Sequence, residues 1–208
     1  MGGHCLDVLL EADAYTRVVS LGRRKTGKEH QKLEEHLFDF ERLDDYSQLF
    51  QGDDLFCCLG TTIKKAGSRE AFRRIDFTYV KESARVAATR GVKQFLLVSA
   101  LGASARSSVF YNRTKGEAEE AVATFPFKGV QIFRPSLLLG ERAEFRLGER
   151  VAEKGMKLFS FLLVGSLRKY RAIHAHDVAG AMIKVALEEP AGRNVFESDR
   201  IAGIACGS

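Results

Sequence analysis

Residues 55–62, LFCCLGTT, decide the fold. The first five are apolar at every position, so a strand built from them buries both of its faces, as a parallel strand covered by helices on each side does. Phe95 to Val98 (FLLV) repeats the pattern. Between the two, Ser68 to Arg90 places Phe72, Ile75, Tyr79, Val80, Ala84 and Ala87 close to helical spacing. Arg73, Arg74, Lys81 and Glu82 face elsewhere, and Gly91 supplies the stop. The result is a strand, a long helix and a second strand.

The alternation continues in both directions. Toward the start, Arg17 to Leu21 (RVVSL) and Leu37 to Phe40 (LFDF) read as strands, and residues 3–12 as an amphipathic helix carrying Cys5, Val8, Leu9 and Ala12. Toward the end, Tyr111 to Ala123 reads as a helix and Gly129 to Phe133 (GVQIF) as a strand stopped by Arg134-Pro135. Asp177 is expected to open a last helix that runs to about Glu189 and stops at Pro190. No element is assigned to 140–164, and the tail IAGIACGS is expected to be disordered. Repeated strand and helix predict one α/β domain over 1–208, a Rossmann-like, doubly wound parallel sheet.

The composition agrees. The chain has 208 residues, 45% of them hydrophobic and 28% charged, which suits a soluble globular protein and excludes disordered, collagen-like and coiled-coil chains. No apolar run reaches the roughly 18 residues that a spanning helix needs, and Met1-Gly2-Gly3-His4 carries no secretory pattern. A cytoplasmic protein is therefore expected. Cys5, Cys57, Cys58 and Cys206 form no spaced framework and read as reduced thiols, with Cys57 and Cys58 on opposite faces of their strand. A net charge of +5 suits anionic ligands without choosing among them.

Several residues could carry chemistry. Tyr111 and Lys115 stand four apart, on one helix face about one turn from each other. A neighbouring cation favours phenolate over phenol, which fits a tyrosine to donate a proton to a carbonyl. The plain alternative is a packing tyrosine and a solvated lysine. Ser99, at the end of its strand, either hydrogen-bonds a substrate oxygen or turns the chain with Gly102. Gly22-Arg23-Arg24-Lys25 follows another strand, and guanidinium forks there suit a ribose 2′-phosphate, favouring NADP over NAD; the alternative is an exposed basic turn. Asp39-Phe40 would meet an adenine or cap a helix. Leu59, Gly60 and Thr61 let backbone approach a ligand or make an ordinary turn. His174 and His176 have neither an HExxH motif nor paired cysteines around them, so no metal site is expected.

In order along the chain, LGRRK (21–25), DFERLDDY (39–46), FCCLGTT (56–62), KAGSREAFRRIDFTYV (65–80), YNRTKGE (111–117) and FRPSLLLGER (133–142) resemble the atypical short-chain dehydrogenase/reductase superfamily, in its Tat-interacting oxidoreductase-like, epimerase-like branch. The resemblance implies that Arg23 and Arg24 take the 2′-phosphate of NADP(H), Asp39 the adenine side, and Leu59 with Gly60 and Thr61 the adenosine ribose region. Tyr111 and Lys115 would be the catalytic pair, with Lys115 also on the nicotinamide ribose. Leu138 and Arg146 would lie near the nicotinamide end and the phosphates. Ser99 matches the usual third helper only loosely, because Ala100 and Leu101 follow it.

That family begins with an apolar strand and a glycine-rich loop, whereas this chain starts inside the following helix, with Gly2 as the loop's last glycine. It therefore reads as a shortened form of a longer chain, with two central strand edges left unpaired. The expected function is an NADP-dependent oxidoreductase acting on a small carbonyl or alcohol that the sequence does not name, with NAD the less favoured cofactor. The alternative is a catalytically weak NADP-sensing binding protein. Nucleic-acid binding rests on the basic pI of about 9.1 alone and is not expected. Paired helices in related folds often build dimers, which leaves a homodimer open.

Overall fold

A computed structural model describes residues 1–139 and 165–207. Its centre is a parallel sheet ordered β3 (Asp54–Cys57), β4 (Gln94–Val98), β5 (Gly129–Arg134), β8 (Gly192–Glu197). Leu55 lies opposite Phe95, Phe95 opposite Val130, and Val130 opposite Arg193. Alternate residues of β4 go to opposite faces. Phe95 and Leu97 pack with Val80, Ala84, Ala118 and Val122 on one side. Leu96 and Val98 pack with Val178, Met182 and Ile201 on the other. This is the double burial that LFCCL and FLLV predict, and Cys57 and Cys58 likewise join different clusters.

The helices of the first face are α3 (Arg69–Arg73) with α4 (Tyr79–Thr89), and α5 (Phe110–Val122). A single π turn, Arg74–Thr78, joins α3 to α4, so the predicted long helix is present with a bulge inside it. The opposite face carries α1 (Gly2–Glu11), α6 (Ala175–Glu188) and α7 (Ser198–Cys206). A one-turn helix, α2 (Ile63–Ala66), follows β3, and β6 (Leu138–Leu139) pairs with β7 (Ile173–His174). No helix among the described residues is long and apolar enough to cross a membrane.

A second sheet holds β1 (Val18–Gly22) and β2 (Leu33–Leu37), parallel to each other. Among the described residues no ladder joins it to β3, as the unpaired edges expected from the sequence require. Side chains bridge the break. The Tyr15 hydroxyl donates to Asp54 (2.7 Å), its ring meets Phe56 edge-on, and Val18 shares a cluster with Phe56, Cys58 and α1.

Three expectations change. The second strand is Leu33–Leu37 and not Leu37–Phe40. Phe38 and Phe40 instead pack with Leu43 and Phe50 under α4, and Asp39 accepts the Glu41 N–H (3.0 Å) to open a 3-10 helix, Phe40–Leu49. The tail is helical through Cys206, because Ile201 is fully buried and Ile204 packs on the same core, while Lys184 donates to the carbonyls of Ile204, Ala205 and Gly207. The last predicted helix begins two residues earlier, at Ala175, with Asp177 inside its first turn. Strand β8 had no signal in the sequence reading, since GRNVFE is apolar only at its end.

Candidate cofactor and catalytic site

The carboxyl ends of β3, β4 and β5 bring together the Leu59–Thr61 turn, Ser99 and the first turns of α5. Lys115 on α5 points inward. Its ammonium lies 2.7 Å from Asp76, with the lysine side chain 7% exposed and the aspartate 0%. Asp76 comes from the π turn, which turns this carboxylate into the core between the apolar Ile75 and Phe77. Its second oxygen accepts the Thr61 N–H at 2.9 Å. A Cβ on Gly60 would stand 3.3 Å from both Asp76 Oδ1 and Lys115 Nζ, so the glycine is what lets the turn lie against the ion pair. Burial pushes the Asp76 carboxyl above the usual carboxylate range, although the Lys115 ammonium and the Thr61 N–H pull the other way.

Tyr111, in the first turn of α5, is half-buried and stacks at a tilt on Phe72, with ring centroids 5.3 Å apart. No hydrogen bond holds its hydroxyl among the described residues. The loop from Ser99 to Val109 lies directly on α5. A Cβ on Gly116 would come within 2.2 Å of the Ser104 and Ala105 backbone, and the Ser104 N–H donates to the Asn112 carbonyl. Gly102 in that loop takes a left-handed φ of 82°.

Ser99 is buried, and its hydroxyl donates to Glu119 at 2.5 Å. Glu119 is itself fully buried and also receives Arg134 on both oxygens, with Arg193 at 3.6 Å. The Ser99 proton is thus committed to a carboxylate, and what the hydroxyl still offers is its lone pairs.

The other predicted residues spread around this centre. Gly2 opens α1 beside the end of β3, where an added Cβ would lie 3.7 Å from that of Cys58. Arg23 and Arg24 sit on the exposed bend after β1, with no ion pair to either among the described residues. Asp39 is exposed and acts as the helix cap, one of the two roles read for it. Leu59 is half-buried against the β3 and α4 clusters. Leu138 sits in β6 opposite Ile173, and Arg146 lies outside the described residues. His174 and His176 are exposed, and no three metal-ligating side chains cluster among the described residues.

The sequence reading missed Asp76 and Glu119. Both had a signal: Asp76 interrupts the apolar face of a long helix, and Glu119 is one turn beyond Lys115 on its face.

A doubly wound parallel sheet with Tyr and Lys one turn apart on the helix after its second central strand defines the class, an epimerase-like short-chain dehydrogenase/reductase fold. No family profile matches the chain. Protein HTATIP2 of Rattus norvegicus is 42% identical over 153 residues, which is 72% of this chain and 63% of the rat protein. Mitochondrial protein FMP52 of Meyerozyma guilliermondii is 32% identical over 192 residues, covering 90% of this chain and 82% of the yeast one. The chain belongs to this Tat-interacting and FMP52 branch of the atypical short-chain dehydrogenase/reductases.

Among solved structures, MoeE5 in complex with UDP-glucose and NAD has a TM-score of 0.69 at 15% identity, covering 98% of this chain and 77% of that one. WbmH of Bordetella bronchiseptica in complex with NAD+ has a TM-score of 0.68 at 16%, covering 95% and 72%. These likenesses establish the fold. The fungal relatives are mitochondrial proteins by name, which overturns the expectation of a cytoplasmic location.

Proposed function

We propose that the protein binds NADP(H) and is an oxidoreductase acting on a small carbonyl or alcohol, with Tyr111 as proton donor and acceptor and Lys115 as its cationic partner. The observation that carries this reading is the buried Lys115 ammonium, held against a glycine turn that an added side chain would crowd. Lysines are seldom buried so far unless paired; this one has Asp76 as its partner, and backbone left bare beside the pair suits an anionic or polyhydroxyl ligand. MoeE5 and WbmH, of the same fold, are in complex with NAD at low identity, which supports a nicotinamide dinucleotide as the ligand. The preference for NADP rests on Arg23 and Arg24, two guanidinium forks exposed at a strand end without carboxylate partners among the described residues.

In this reading Gly2, Asp39, Leu59, Gly60 and Thr61 line the adenosine and phosphate side, and Lys115 holds the nicotinamide ribose. Leu138 and Arg146 complete the nicotinamide side. Bound NADPH would supply a hydride to the substrate carbon. Tyr111 gives its phenolic proton to the carbonyl oxygen as that oxygen becomes an alcohol, and recovers one from solvent. The Lys115 ammonium stabilises the phenolate left in between. Ser99 assists by accepting a hydrogen bond, since Glu119 takes its proton.

Calorimetric titration of NADPH and NADH into the chain tests the cofactor, with NADPH expected to bind at least tenfold tighter. Tyr111→Phe is expected to keep that binding and abolish turnover of any substrate found; surviving turnover would remove Tyr111 from the mechanism. The Ser99–Glu119 bond favours a second reading, a cofactor-sensing binding protein, because it leaves one fewer donor for a substrate oxygen. Partner capture that depends on NADPH, without turnover, would select it.

A further inference from the structure

A carbonyl oxygen on its way to an alcohol is stabilised by hydrogen-bond donors aimed at it as its charge grows. Tyr111 is one such donor. Ser99, the other hydroxyl read for the task, is spent. It is 6% exposed and its proton lies on Glu119, a buried carboxylate that the Arg134 guanidinium grips on both oxygens. Turning the serine proton toward a substrate would take a bond away from that buried charge.

Asn112 is not spent. It follows Tyr111 in the first turn of α5 and is half-buried. Its backbone carbonyl accepts the Ser104 N–H at 3.1 Å, which pins this turn to the loop that Ser99 opens. Its side-chain amide has no hydrogen bond among the described residues. The amide lies over Gly102 of the same loop, where a Cβ would stand 3.2 Å from Asn112 Nδ2. Gly102 holds a left-handed φ of 82°, so any side chain placed there is both strained and crowded by the amide. The loop leaves room for the carboxamide and gives it nothing to bind. Polar groups drawn out of water are nearly always bonded, and this one stands beside the proposed proton donor at the carboxyl ends of parallel strands, where ligands are received.

We propose that Asn112 is a catalytic residue: its side-chain amide donates to the oxygen of the substrate carbonyl, in the place that Ser99 has given up to Glu119. The inference rests on the oxidoreductase reading above. The amide transfers no proton. As the carbonyl carbon is reduced, the oxygen takes the Tyr111 proton, and the Asn112 N–H holds the charge that develops in between.

The test uses the whole chain with NADPH and three probes: benzaldehyde, 4-nitrobenzaldehyde and benzamide, an unreactive molecule with the same ring and carbonyl oxygen. Asn112→Leu removes the donor at nearly constant volume, and Asn112→Asp keeps the shape but makes the group an acceptor. Both variants are expected to bind NADPH by calorimetry as the unmodified chain does and, with NADPH present, to bind benzamide roughly tenfold more weakly. The kcat for benzaldehyde is expected to fall roughly a hundredfold, as when one oxyanion donor is removed. 4-Nitrobenzaldehyde, whose carbonyl needs less polarising, is expected to lose less.

Equal losses for the two aldehydes, together with a lower urea midpoint, would make Asn112 a merely structural residue. Aldehyde reduction that survives Asn112→Leu but not Tyr111→Phe would overturn this proposal and leave the oxidoreductase reading standing. If neither aldehyde is reduced, the benzamide arm decides: weaker binding in both variants supports the donor, and unchanged binding, or none to the unmodified chain, removes it. If Asn112→Leu fails to fold, Asn112→Asp is read by the same criteria. A chain that binds no NADPH overturns the cofactor reading and this proposal with it.

Discussion

Two basic regions of this molecule are built in opposite ways. Lys115 is buried, neutralised by Asp76 and fixed by a glycine turn on one side and α5 on the other. Arg23 and Arg24 are exposed on a bend after β1, and no carboxylate meets either among the described residues. A charge inside the core is bound into folding, so altering it costs stability before it costs binding. A charge left open on a bend contributes little to folding and is free to answer to a ligand. The same contrast separates the sheets that carry them: a four-stranded sheet whose two middle strands bury both faces, against a pair of strands that no ladder joins to it among the described residues.

If the contrast holds, the largest losses of stability come from the buried side. Lys115→Met leaves Asp76 buried and unpaired, and removing one member of a buried pair costs about 3–5 kcal/mol. Urea unfolding should show it as a lower midpoint. Removing both charges should recover a good part, so a double variant as unstable as the sum of the single ones would contradict the pairing. Gly116→Ala should cost about 1–3 kcal/mol or more, since the new methyl would stand 2.2 Å from the Ser104 and Ala105 backbone and the loop must lift off α5. A variant with an unchanged midpoint would mean that this loop does not sit on the helix.

The exposed side should behave otherwise. Arg23→Ala with Arg24→Ala is expected to shift unfolding by no more than about 0.5 kcal/mol. The same change should weaken NADPH by roughly ten- to a hundredfold, through lost charge-assisted hydrogen bonds, and leave NADH where it was. Equal weakening of the two dinucleotides would move these arginines off the 2′-phosphate.

How much of this was legible follows the same division. Strands whose two faces are both buried announce themselves, because LFCCL and FLLV have no polar position to misplace, and the helix between them shows its period over six turns. β2 was read four residues late because its polar residues Glu34, Glu35 and His36 hide a strand at the sheet's margin, while Phe38 and Phe40 look like strand and are core of another kind. The tail was misread because its pattern makes sense only once the core that buries Ile201 exists. In the site, the motif residues were visible by spacing. Asp76 and Glu119 were not, since what makes them matter is the element across from them. A π turn leaves no mark in the sequence that separates it from the regular helix on either side.

The finest test concerns a carboxylate between the two regions. Asp54 opens β3 at the break between the sheets and, unlike Asp76, has only neutral donors: the Tyr15 hydroxyl at 2.7 Å and the Gln94 side-chain amide at 2.8 Å. Partial burial raises its carboxyl above the usual range, with the two hydrogen bonds opposing, and burial, aided by the same carboxylate, raises the Tyr15 phenol. For an acid with a raised folded value, the folded state holds its proton to higher pH than the unfolded one. The contribution is therefore fully present below the unfolded value of about 3.9 and is lost as pH rises through the folded value. Asp54→Asn mimics the protonated form, so the unmodified chain should lose ground to the variant as pH rises from 4 to 7, by a Tm difference of roughly a few degrees. A difference that stays flat over this range, or runs the other way, would mean that the Tyr15 and Gln94 hydrogen bonds outweigh burial, and that the seam between the sheets is held by an ionised carboxylate after all.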